Sequence, residues 1–321
     1  MRPDVDWRPL ASRAALELRA ALLARARQFF AARNVLEVDT PLLVNTPVSD
    51  VHIASATVAL GAGPPLYLHT SPEYAMKRLL AAYPRDIFQI CHVVRGEERG
   101  RLHNPEFTLI EWYRIGWPLE SLIDEVEALV RALLGSAGAG RPAQRLSYRE
   151  AFARELALDP FVAPDSTLLE AARRLGFASG GGARDELLEF LMGVGVGPRL
   201  GRGALTFVHG YPASQAALAR LDPGDPRAAL RFELYCEGVE LANGFAELQS
   251  AAEQRARFER DNAERRRAGL PVRPPDERLL AALSSGLPDC CGVALGFDRT
   301  LMLALDARHI DEVLSFPTAR A

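Results

Sequence analysis

Arg95, Glu97, Phe107, Glu111 and Tyr113 all carry odd numbers. They belong to two strand-like runs, residues 86–94 and 107–115, and to the polar, glycine-containing stretch RGEERGRLHNPE between them. The simplest local structure is an antiparallel hairpin with a long loop. If the strands pair with an even register sum, all five side chains leave one sheet face. A cation, an aromatic ring and carboxylates gathered there are costly to bury without partners. Two readings fit: a solvated face with a surface ion pair, or a nucleotide platform. On the platform Arg95 binds a phosphate, Phe107 stacks on a base and the carboxylates receive amino groups. His103 and Asn104 in the loop add groups suited to phosphate.

A second constellation is Glu233, Glu240 and Glu247, spaced by seven. Heptad spacing aligns residues on a helix, but Gly238 and Asn243-Gly244 lie between them amid Val, Tyr and Phe, so strand is expected. Odd spacing on a regular strand alternates faces. Bringing the three together therefore requires a bulge or bend, with the glycines as its expected place. Carboxylates converging beside a nucleotide suit Mg²⁺, a hard cation that takes oxygen ligands and bridges phosphates; three unrelated surface glutamates are the other reading. A third constellation is GVALGFDR, residues 292–299. Its glycines permit close backbone approach to a ligand, and Arg299 starts a helix whose N-terminal end favours anions.

These residues must be held by elements drawn from 321 residues, 48% of them hydrophobic, with a net charge of −3. That size and composition suit one large domain. No stretch approaches the roughly 20 apolar residues of a membrane span, and the start has no apolar signal-peptide core, so a soluble, cytoplasmic protein without membrane attachment is expected. The mixed charge argues against nonspecific nucleic-acid binding. Cys91, Cys236, Cys290 and Cys291 show no C-x-x-C spacing and read as reduced core thiols. An amphipathic helix is expected over residues 14–33, ended by Asn34, followed by the extended VLEVDTPLLV. Ser71 is placed to cap a helix with Pro72 in its first turn. Residues 119–202 alternate helical patterns with glycine-rich breaks and read as a helical insertion. Strands return at 204–212 and 231–248, and the charged helix 251–269 is expected to present a solvated face.

These residues resemble a known family. FFAARNVLEVDTPLL is similar to motif 1 of the class II aminoacyl-tRNA synthetases, VVRGEERGRLHNPEFTLIEWYR to motif 2 and GVALGFDRTLML to motif 3, at about residues 25–43, 88–114 and 292–305. The likeness runs from about residue 14 to the C-terminus and lies within the lysyl branch. SPEY at 71–74 and VELANGFAEL at 239–248 are similar to those lysyl-tRNA synthetase paralogues that modify a protein rather than tRNA.

The resemblance implies an α+β fold: the class II catalytic core, a mixed, mainly antiparallel sheet flanked by helices, as a single domain over 1–321. No anticodon-binding domain is expected, since fewer than about 20 residues precede the motif 1 helix. It also implies an ATP-dependent ligase that activates (R)-β-lysine or lysine as its adenylate, with Mg²⁺, and passes it to a lysine of elongation factor P. A homodimer through motif 1 is implied, and tRNA is not expected as acceptor. By the same resemblance Arg95 contacts the α-phosphate and substrate carboxylate and Phe107 stacks on adenine. Glu97, Asn104, Leu241 and Gly296 bind ATP, with His103 and Arg299 near the outer phosphates. Glu233 and Glu240 hold Mg²⁺, and Glu240 also touches ATP. Ser71, Pro72 and Glu73 bind the amino acid, Glu73 holding the amino group nearer the carboxyl end; Glu111, Tyr113 and Glu247 hold the distal ammonium. Ala294 shapes the pocket where lysyl-tRNA synthetases have Gly. Gly96 departs from the paralogues, which carry Asn there, so a side-chain contact to ATP is lost at that position. Two alternatives are an enzyme charging tRNA without an anticodon domain, and a non-catalytic regulatory paralogue, although both catalytic arginines are present.

Overall fold

The computed structural model describes residues 7–138, 140–178 and 181–321. Helix α1 (Arg13–Ala31) starts where Ser12 Oγ accepts the Ala15 N–H at 3.1 Å, and the chain turns away at Asn34, whose φ of 57° is a left-handed conformation that Asn tolerates. Short strands β1 (Leu36–Glu37), β2 (Leu43–Val44), β3 (Thr57–Val58) and β4 (Leu66–Leu68) follow, then helix α2 (Glu73–Ala82). Strands β5 (Ile87–Val94) and β6 (Glu106–Ile115) form the expected hairpin. After α3 (Leu119–Leu134) come β7 (Ala143–Ser147), α4 (Tyr148–Leu156), α5 (Asp165–Arg174) and α6 (Arg184–Phe190). The chain closes with β8 (Leu205–Pro212), β9 (Ala228–Cys236), β10 (Val239–Ala246), α7 (Ala251–Arg267), α8 (Glu277–Gly286), β11 (Cys290–Gly296) and α9 (Phe297–Leu305).

Eight strands form one sheet in the order β1-β5-β6-β11-β10-β9-β8-β7. Its inner pairs are antiparallel and its two edge pairs, β1 with β5 and β7 with β8, are parallel, so the mixed, mainly antiparallel sheet expected is the one observed. Alternation divides the sheet into two faces. On one, Ile110 and Trp112 of β6 pack with Leu22 and Phe30 of α1 and Leu122 and Val126 of α3 in the main core. Each such side chain taken from water contributes roughly 1.5–3 kcal/mol. The other face carries a smaller cluster under α2 and α8, including Met76, Ile87 and Leu280, and beyond it the candidate site.

Two expectations are corrected. The stretch 119–202 is not one helical insertion. α3 belongs to the main core, anchored by Glu125, which accepts from Trp112 Nε1 at 3.0 Å and Arg114 Nε at 2.8 Å, and β7 is the eighth strand of the sheet. Only the part from α4 onward builds a separate core, around Tyr148, Phe152, Leu168 and Leu187. Helical periodicity alone cannot say which core a helix joins. Second, α7 is not simply solvated: Arg257 and Arg265 are buried, Arg257 donating to the carbonyls of Ala217 and Ala219 and Arg265 to those of Pro271 and Asp50. Arginine stems cover apolar surface while the fork finds backbone oxygens. The four cysteines are free, three of them buried.

Candidate active site

The hairpin register is even: Ile87 faces Tyr113, Gln89 faces Glu111 and Val93 faces Phe107. Phe107, Glu111 and Tyr113 therefore share a face, and all three line a cavity of about 750 Å³. Arg95 joins them, its guanidinium 5.2 Å from the Phe107 ring centroid, donating to Thr70 O at 3.3 Å and Glu98 Oε1 at 3.1 Å. The parity rule stops at β5, because residues 95–98 turn, with Glu98 N–H donating to Arg95 O. Glu97 is thereby exposed and outside the cavity lining, and Glu98 stands in the cavity where Glu97 was expected.

The third constellation closes the site from the neighbouring strand. β11 lies between β6 and β10, and Ala294 pairs with Glu111 on one side and Asn243 on the other. Gly292 faces Tyr113: a Cβ there would sit 2.3 Å from the Tyr113 ring and 2.4 Å from Glu247 Oε1, so only glycine leaves room for both. Gly296 caps α9, and Arg299 in its first turn donates to Glu240 O at 3.0 Å and to His103 Nε2 at 2.6 Å. Burial and then the Arg299 cation push His103 below its usual range, which suits a neutral ring accepting that bond. Asn104 also borders the cavity, but its amide is spent on loop architecture, donating to Glu106 O and accepting from Thr318 N. Asp298 holds this corner together. It accepts from Arg19 of α1 at 2.5 Å and from Thr108 N at 2.6 Å, tying the motif 1 helix to the motif 2 strand beside Arg299.

The glutamate trio occupies β9, β10 and the residue after it, and all three side chains face the same side. The required bulge exists between Glu240 and Ala242, at Leu241 and not at a glycine. A one-residue bulge needs only a locally helical residue, which any side chain permits; Gly238 serves the β9–β10 turn at φ 75° instead. Glu240 and Leu241 line the cavity, but the Glu233 carboxylate lies behind the wall, accepting from Tyr211 OH and Tyr235 OH at 2.6 Å each and Arg231 Nη2 at 2.5 Å. The expected open pair of Glu233 and Glu240 is thus one open carboxylate and one already engaged. Glu240 is 40% exposed to the cleft; the surrounding protein and Glu233 raise its pKa, Arg299 and Arg231 oppose them, and water in the cleft moderates the rise. Among the described residues no three His, Cys, Asp or Glu side chains form a ready metal site. One open carboxylate fits a Mg²⁺ that takes its remaining oxygens from phosphates and water.

At the inner end the cavity is anionic. Glu111, 2% exposed, accepts from Ser71 Oγ and Tyr113 OH at 2.8 Å each. Burial and then the charge of Glu73 push its pKa up to about 8, against those two hydrogen bonds. Ser71 Oγ also accepts the Glu73 N–H, but α2 begins one residue later than expected, with Pro72 at the cap; Pro72 lines a small adjoining pocket and not the main cavity. Lys77, which the motifs did not single out, sits behind this wall, with Nζ 2.7 Å from Glu73 Oε1 and 2.5 Å from Glu247 Oε2. The i,i+4 spacing of Glu73 and Lys77 on a helix was the readable signal. Burial pushes Glu247 up to about 7, with the Lys77 ammonium at 2.5 Å pulling the other way. Gln254, 1% exposed and also unanticipated, borders the cavity with Nε2 unpartnered. The outer rim takes Asp185, Glu186 and Glu189 from α6, so the segment beyond α4 reaches the site.

The arrangement is bipolar: Arg95, Arg299 and Arg231 at one end, Glu73, Glu111 and Glu247 at the other. It can neutralise a polyphosphate and hold ammonium groups a few ångströms away. No helix among the described residues is long and apolar enough to cross a membrane. Comparison with known proteins gives the family. The family model for tRNA synthetases class II (D, K and N) matches residues 3–320. A protein of Erwinia tasmaniensis named elongation factor P–(R)-β-lysine ligase is 49% identical, the match covering 100% of both chains. Its namesake in Vibrio cholerae serotype O1 is 48% identical over 98% of this chain and 99% of its own. The one in Klebsiella pneumoniae strain 342 is 48% identical over 88% of each.

Proposed function

The chain belongs to the class II tRNA synthetases (D, K and N), and from that premise we propose that it is an ATP-dependent ligase that joins (R)-β-lysine or lysine to a lysine side chain of elongation factor P. The observation that carries the amino-acid assignment is the charge of the inner pocket. Three carboxylates converge there with one resident cation, and Glu111 is held protonated to about pH 8 for want of another. A ligand bringing ammonium groups supplies what is missing; a neutral side chain does not.

In the reaction the amino-acid carboxylate attacks the α-phosphorus of ATP, a P–O bond breaks and pyrophosphate leaves. Arg95, over Phe107, is positioned to neutralise the α-phosphate and align the attacking carboxylate, with the adenine against Phe107. Arg299, steadied by His103, meets the departing phosphates. Mg²⁺, held by Glu240 and the phosphates, would supply further charge neutralisation. The acceptor amine then attacks the adenylate carbonyl, an amide forms, AMP leaves and the amine gives up a proton. No covalent enzyme intermediate is needed. Cytoplasmic location and a homodimer through the motif 1 region complete the proposal. Pyrophosphate exchange with lysine, with (R)-β-lysine and with no amino acid, followed by transfer to purified elongation factor P or to tRNA, tests it. Exchange dependent on a diamino acid and transfer to the protein are expected; no exchange with either isomer would sink the ligase reading.

A further inference from the structure

Lys77 is the single lysine among the chain's 38 lysine and arginine residues. Everywhere else a cation is needed the chain uses arginine, on the surface and in buried pairs alike. This one exception is 2% exposed, sits on the inner face of α2 beside Met76 and Leu80, and bridges two carboxylates from different elements, Glu73 of α2 and Glu247 after β10. The bridge is geometrically demanding. A compact ammonium rotates its three donors toward two acceptors, whereas a planar guanidinium fork is larger and fixed.

We propose that Lys77 is the fixed counter-ion of the amino-acid pocket, a positioning residue that bridges Glu73 and Glu247, holds their carboxylates at one spacing and so selects a substrate with two ammonium groups. This rests on the ligase reading above and extends it to a residue that borders no substrate. The groups facing the bridge are Glu73 on α2, Glu111 and Tyr113 on β6, Glu247, and the thiols of Cys290 and Cys291 on β11, with Arg220 acting on Glu247 from the loop before β9. Burial by itself disfavours the Lys77 ammonium, but Glu247 and Glu73 outweigh it and hold it charged. Without the ammonium the part-buried Glu73 carboxylate and the buried Glu247 carboxylate would face each other, and such a pair retains a proton. The pocket would then offer less negative charge to the substrate while its shape and its ATP end stayed as they are.

The test uses the full-length protein in pyrophosphate exchange with lysine and (R)-β-lysine, comparing the unaltered chain with Lys77→Met, Lys77→Ala and the double variant Lys77→Met with Glu247→Gln. Lys77→Met is expected to raise the amino-acid KM roughly 10- to 100-fold, as expected for loss of a charge-assisted contact, and to steepen its rise as pH falls, with the ATP KM changed less than about threefold. Added methylammonium or ethylammonium should restore the amino-acid KM of Lys77→Ala, whereas tetramethylammonium, too large for the gap, should not. The double variant, freed of its unpaired charge, should regain melting temperature but not amino-acid affinity. Equal changes in both KM values, no recovery with small amines, or recovery of amino-acid KM in the double variant would each overturn the positioning role. If the unaltered protein exchanges with neither diamino acid, the ligase reading falls and the inference with it; if it exchanges and Lys77→Met matches it, only the inference falls.

Discussion

Glu111 is where the chemistry of single residues is most exposed to experiment. In the empty protein its carboxyl is raised to about 8, first by burial and then by Glu73, so below that pH the free site holds a proton that a bound ammonium must displace. Diamino-acid binding should therefore release protons near pH 7, measurable by calorimetry in buffers of different ionisation enthalpy, and affinity should weaken about 15-fold between pH 8.0 and 6.5 as the ionised fraction falls. Stability runs the other way. A carboxyl raised in the folded state favours folding below its unfolded value and loses that contribution as pH rises toward 8, so the ligand-free melting temperature should drop over that interval and the ligand should reverse the drop. Glu111→Gln should remove the pH dependence and raise the amino-acid KM by roughly 10- to 100-fold. Gly292→Ala is the steric counterpart: its methyl would occupy the space of Tyr113 and Glu247, costing about 1–3 kcal/mol of stability and most of the exchange activity. At this scale the sequence was readable where alternation rules hold. Phe107, Glu111 and Tyr113 followed from strand parity, while Glu97 and Glu98 exchanged places because a turn has no such period.

Among elements, the informative case is the junction that the motif alignment did not reveal. Asp298 receives Arg19 from α1 and the Thr108 amide from β6, so three segments that look independent in the sequence share one buried carboxylate. Asp298→Ala leaves the Thr108 amide without its side-chain acceptor and the largely buried Arg19 guanidinium without its counter-ion, held by Thr108 Oγ1 and the Phe297 ring, and should cost about 3 kcal/mol, read as a lower denaturant midpoint, with exchange activity falling alongside because Arg299 is its chain neighbour. Helices and strands were legible from periodicity: the hairpin, the α1 stop at Asn34 and the need for a bulge in the glutamate strand all follow from local rules. What was not legible is which partner each element finds. α3 and α5 both read as amphipathic, yet one belongs to the main core and the other to the second, and the difference lies in contacts that no local pattern records.

For the whole molecule, the second core beyond α4 is joined to the first through a buried hub in which Arg231 and the hydroxyls of Tyr211 and Tyr235 converge on Glu233, and its α6 reaches the rim of the cavity. Ligand binding should therefore slow amide exchange in α6 as well as in the hairpin, a coupling that hydrogen exchange would detect and that an independently mobile insertion would lack. Leu36 on the edge strand β1 and Leu42 and Leu43 at the start of β2 are exposed within the motif 1 region, where the proposed homodimer would form. Leu43→Asp should yield a monomer by light scattering; an unchanged mass would move the interface elsewhere. The scarcity of lysine has its own consequence at this scale. An aminoacyl adenylate acylates whatever free amine it meets, and a protein that makes one for transfer to lysine is its own nearest target. Here the side chains present a single amine, walled off and kept protonated between two carboxylates, so the catalyst offers no free lysine side chain to its own adenylate.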